Sequence, residues 1–169
     1  MTWTAPPPVL PDGPVVGDDR AILEGYLAWQ RATLLNICAG LTAAQLAERP
    51  LPGSNLSLLG LVRHLAKVER IWFGQCVGNR GPLFDPGLGK DHDFEDGRPE
   101  QAEAALAVLA GEWRSADSTA AGLSFDDTFD TGRETWSLRM LYVHLIGEYA
   151  RHNGHADLVR QHLDGVTAR

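Results

Sequence analysis

Residues 136–163, WSLRMLYVHLIGEYARHNGHADLVRQHL, space His144, Glu148, His152 and His155 at intervals of four, four and three. On an α-helix those intervals return to one face. With His144 at zero and about 100° per residue, Glu148 falls at about 40°, His152 at about 80° and His155 at about 20°. Leu138, Leu141, Leu145, Tyr149, Ala156, Val159 and Leu163 occupy the arc from roughly 60° to 140°, so the apolar face is centred close to His152. Arg139, Arg151, Asn153, Asp157, Arg160 and Gln161 fall on the opposite arc, as on the solvent side of an amphipathic helix. The pattern predicts one long helix that turns a carboxylate and an imidazole toward the core.

Burying an ionised glutamate among leucines is costly unless it is paired or bound to a metal. This helix alone leaves two readings of Glu148 and His152 open. They form a hydrogen-bonded pair without an ion, or they supply two ligands of a divalent metal.

A chain of 169 residues suits one well-buried domain and is short for two. Its 44% hydrophobic and 22% charged residues give an ordinary globular balance. A net charge of −7, with no Lys/Arg stripe, argues against a nucleic-acid partner, whose phosphates dominate such binding. No apolar run approaches the length of about 18 residues that spans a bilayer, and the N-terminus lacks a signal-peptide pattern, so no membrane partner and a cytoplasmic location are expected. Cys38 and Cys76 have no C-x-x-C spacing and are expected as buried free thiols.

Residues 1–17 carry five of the ten prolines and read as an extended arm outside the bundle, packed on its surface or against a neighbour. Asp18 suits the N-cap of a first long helix that ends near Gly40, with Ile22, Tyr26, Trp29, Leu34 and Cys38 at helical intervals. Thr42 opens a short helix stopped by Pro50. Ser57 opens the second long helix, in which His64 borders the apolar face and Arg63, Lys67 and Arg70 lie opposite. Residues 78–98, rich in glycine and acids, read as a long irregular connection, in which Asp91, His92 and Asp93 belong to a solvated acidic loop. Pro99 suits the first turn of a third long helix, whose buried stripe includes Leu106, Leu109, Trp113 and Ala116. Residues 125–137, FDDTFDTGRETWS, suggest a turn or short hairpin before the fourth, and their acids lack an EF-hand spacing.

Four amphipathic helices with a long central connection predict an all-α four-helix bundle over residues 18–165. In such a bundle His64 of the second helix can meet Glu148 and His152 of the fourth, a three-ligand set that keeps a position open.

The segments SLLGLVRHLAKVERIWF (57–73) and GEYARHNGHADLVRQHLDG (147–165) resemble the two signature stretches of the DinB superfamily, most closely its DUF664 branch. The N-terminal domain of mycothiol-dependent maleylpyruvate isomerases is a related bundle. The resemblance implies an up-down-down-up arrangement and a metal held by His64, Glu148 and His152. Zinc or nickel suits that N2O set best, and iron or manganese also fits. His155 stands where many members have glutamine. It and His144 are candidates for supporting or acid/base roles, against a plain packing role for each.

The implied activity is a metal-dependent S-transferase or isomerase that uses a low-molecular-weight thiol such as mycothiol, bacillithiol or glutathione on a small electrophile. The alternative is a non-catalytic metal- or ligand-binding protein. The isomerases carry a further C-terminal domain, and whatever it contributes to substrate binding is expected here from the loops, from a second subunit, or not at all. A homodimer is compatible with the sequence.

Overall fold

The computed structural model describes residues 2–167. Four long helices dominate it: α1 (Asp19–Cys38), α3 (Leu58–Glu69), α5 (Ala102–Ala120) and α6 (Leu138–Asp164). Between them lie two short helices, α2 (Ala43–Ala47) and α4 (His92–Glu95), and a hairpin of β1 (Thr128–Asp130) and β2 (Thr135–Ser137). The helix starts follow the sequence signals. Asp18 accepts the Ala21 N–H, Ser57 the Gly60 N–H and Ser137 the Met140 N–H, while Thr42 and Gln45 form a capping box. Gly165 ends α6 in a left-handed conformation that a side chain would strain.

Contacts at the two ends of each pair fix the helix directions. Arg139 pairs with Asp19, and Arg160 donates to the Ile37 and Ala39 carbonyls, so α1 and α6 run parallel. Arg63 meets Gln101 and Arg70 meets Glu112, so α3 and α5 are also parallel. His64 lies beside His152, Glu69 beside Tyr149 and Trp72 beside His144, which makes α3 antiparallel to α6. The result is the expected all-α, up-down-down-up, DinB-like bundle.

The core is largely leucine, with Leu34, Leu58, Leu61, Leu65, Leu109, Leu141 and Leu145 fully buried. Each such side chain contributes about 1.5–3 kcal/mol by leaving water.

Some polar residues assigned to solvent turn inward instead. Asn153 and Arg160 of α6 are buried because this helix touches both α1 and α3, so its buried arc is wider than its apolar stripe. Arg63 is likewise buried, beneath the α3–α5 connection. On α1 the reverse holds: Tyr26 and Trp29 are 47% and 39% exposed, while Gln30 and Arg31 face the core.

After Glu69 the α3 axis continues for eight residues as a π-helix, Arg70–Val77. Its wider turns carry Trp72 against the hairpin and α6. Residues 2–17 lie along the bundle, where Ala5 exchanges backbone hydrogen bonds with Gly40 and Leu41 and is itself buried. Among the described residues no helix is long and apolar enough to cross a membrane.

Candidate metal centre

The seam between α3 and α6 carries the residues singled out by sequence. His64 is on the second turn of α3, and its antiparallel partner α6 brings Glu148 and His152 opposite. One ligand atom from each of the three lies within 4.8 Å of the others, and no other such group converges among the described residues. His152 Nε2 stands 3.5 Å from Glu148 Oε2. Donors around a tetrahedral zinc, with bonds of about 2.0–2.1 Å, are separated by roughly 3.4 Å, so that pair already has ligand spacing.

The centre sits at the edge of the bundle, where Glu148 and His64 keep 16% and 22% of their side chains exposed. The sequence pattern placed Glu148 among core leucines. Instead the innermost polar position is filled by Glu69, which pairs with Arg31 and accepts a hydrogen bond from Tyr149.

Burial, and then the neighbouring His64, push the His152 imidazole down to about 4, with Glu148 opposing. Its ring is therefore neutral at physiological pH, as a metal ligand must be. The His64 and His152 rings meet edge to face at 4.6 Å, and Phe94 stacks on His64 at 4.9 Å.

The residue that sequence reasoning missed is Asp93. Expected in a solvated loop, it is 1% exposed, and its Oδ2 lies 2.8 Å from His64 Nδ1. The short helix α4 folds the connection back on α3, and Lys67 of α3 comes within 3.3 Å of both carboxylate oxygens. Burial alone would raise the Asp93 pKa, but the His64 hydrogen bond and the positive charge of Lys67 hold it below the usual carboxylate range. With Nδ1 engaged, Nε2 is the His64 nitrogen left for a ligand role.

His155 lies close to the centre, its Nδ1 3.4 Å from His152 Nδ1. His144, one turn before Glu148, stands instead in an aromatic cluster, with Trp72 and Trp136 at 4.5 and 5.1 Å. Burial lowers its pKa, against the pull of Glu148. The two tryptophans stack almost parallel at 4.5 Å.

Cys38 and Cys76 are both free and neither joins the centre; Cys38 is buried, Cys76 half-buried.

No curated protein and no solved structure is matched by the chain. Residues 22–165, which span nearly all of the four long helices and every residue of the candidate centre, match the family described as mycothiol-S-transferase. The chain belongs to the mycothiol-S-transferase family, a DinB-like group.

Proposed function

We propose that this chain is a divalent-metal-dependent S-transferase that joins a low-molecular-weight thiol, mycothiol foremost, to a small electrophile. His64, Glu148 and His152 are the metal ligands in this reading. The observation that carries it is the convergence of two imidazoles and a carboxylate, from helices far apart in sequence, within 4.8 Å.

The donor set fits a divalent ion. Two neutral imidazoles and one carboxylate offset a single charge of the metal and leave coordination positions free, a pattern that suits zinc or nickel first and admits iron or manganese. When bound, such an ion lowers the pKa of a thiol in an open position and so supplies a thiolate at neutral pH.

The chain's own residues do the rest. His152 presents an unprotonated ring because burial and His64 disfavour its charge. In this reading His155, beside His152, takes the thiol proton, and His144, one turn before Glu148, serves the leaving group. In the transfer the sulfur lone pair forms the new C–S bond while the carbon's leaving group departs with its bonding pair, or a ring oxygen opens and takes a proton. Phe94 on one side and the Trp72–Trp136 stack on the other border the seam with apolar surface and limit water there.

The test is to supply mycothiol, bacillithiol or glutathione with a chromogenic electrophile to metal-loaded protein and to its His64→Ala variant. A rate with mycothiol that the variant loses supports the reading. Equal rates in both, for every thiol, overturn it and leave a binding protein.

A further inference from the structure

The connection between α3 and α5 is fastened by three cations along one short stretch. Lys67 Nζ donates to the Lys90 carbonyl at 2.8 Å. Arg63 donates to the carbonyls of His92 at 3.1 Å and Asp96 at 3.3 Å. Arg49, beyond the end of α2, donates to those of Phe94 at 2.7 Å and Glu95 at 2.8 Å. A single helical turn leaves its final carbonyls without intrahelical partners and partly negative, so cations are favoured there twice over.

The fit against α3 is close. A Cβ at Gly60 would stand 3.1 Å from a Phe94 ring carbon and 3.4 Å from the Phe94 Cα. The missing side chain lets the stretch lie against the helix one turn before His64. Asp91, Glu95 and Asp96 of the same stretch are exposed, and Asp93 alone among these acids is buried.

We propose that Lys90–Asp96 is a strap that sets the tautomer of His64, with Asp93 as the positioning residue. His64 Nδ1 carries the proton and donates it to Asp93, which leaves the lone pair on Nε2. Lys67 holds the carboxylate, and Arg63 and Arg49 hold the turn that carries it. The consequence for metal affinity rests on His64 being a ligand, but the tautomer does not.

Histidine 15N NMR of the metal-free protein at about pH 8, above ordinary imidazole titration, reads the tautomer. The wild type is expected to show Nδ1–H at His64, and Nε2–H there overturns the proposal without any variant. Asp93→Ala should shift His64 toward the Nε2–H form and weaken zinc binding, measured against a chromophoric chelator, by about 10- to 100-fold. Asp93→Asn keeps an acceptor oxygen and should restore the tautomer and most of the affinity, which mere loosening of the loop would not predict.

A wild-type tautomer in a helical Asp93→Ala overturns the strap's role whatever the metal does. Wild-type protein that binds no zinc while its variant still switches tautomer leaves the strap standing and removes the ligand assignment. Tautomer change with zinc affinity held within about twofold overturns the link between strap and metal.

Discussion

Arg31 and Glu69 form a two-point ion pair in the middle of the bundle, Nε to Oε1 at 2.8 Å and a terminal nitrogen to Oε2 at 2.7 Å, with side chains 7% and 0% exposed. Tyr149 donates to the same carboxylate at 2.9 Å, and Trp113 donates to the Tyr149 hydroxyl at 2.7 Å. Each of the four long helices thus contributes one member. Because Tyr149 follows Glu148 in sequence, the network also fixes the rotation at which α6 presents Glu148 and His152.

Removing Glu69 alone should therefore be severe. Glu69→Ala strands a buried guanidinium whose remaining carboxylate partner is the exposed Asp117, 2.8 Å away. We expect a loss of about 3–5 kcal/mol in urea unfolding, and a smaller loss when Arg31 is replaced by an apolar residue at the same time.

The low pKa of His152 makes the metal-free protein acid-sensitive in a defined window. Between about 4 and 6.5 the unfolded chain holds a proton on this ring that the folded chain does not. Stability therefore falls as pH drops through that range and is level in this respect above it, with an amplitude on the order of 2 kcal/mol after allowance for screening. Denaturation at several pH values in chelator should show that His152→Gln removes this slope relative to wild type.

His152→Ala and Glu148→Ala should each abolish one-to-one binding of zinc or nickel, measured by elemental analysis after exhaustive dialysis. Full stoichiometry in either variant removes that residue from the ligand set.

Chelation should leave the helices formed, because a leucine-rich core and the Arg31–Glu69 network hold the bundle without help from its edge. Far-ultraviolet circular dichroism is expected to keep its helical signal in chelator. Its collapse would make the metal structural.

Burial pushes the Cys38 thiol up to about 12, and burial and Asp130 raise Cys76. Neither is a ready nucleophile. A disulfide reagent should modify the half-buried Cys76 slowly in native protein and Cys38 only after denaturation.

What the sequence made legible was periodic. The spacing of His144, Glu148 and His152 located one face of α6, and caps such as Asp18, Ser57 and Ser137 located the helix starts. The meeting of His64 with that face depends on helix direction, which spacing does not contain and which entered through the family resemblance. Asp93 was hidden for a different reason. Its neighbours are glycines and acids typical of solvent, and only the approach of Lys67 and His64 from α3 makes burial of one carboxylate favourable. The single local hint was the adjacent Phe94, an aromatic in an otherwise polar run. Arg160, on the solvent arc of the helical wheel, and Arg31 both turn inward because long polar side chains can enter a core when carbonyls or carboxylates await them.

The parallel run of α3 and α5 obliges the chain to travel back along the bundle between them, and that return path carries Asp93. The contacts that hold Asp93 in place join α3 to residues 23 to 29 positions further along the chain, so they are long-range and carry a loop-closure cost that the helices do not. Held by side-chain contacts to carbonyls rather than by a leucine seam, the return path should open more readily than the helices beneath it. In hydrogen exchange the amides of residues 90–96 would then report an equilibrium of their own, with the bundle intact on both sides of it.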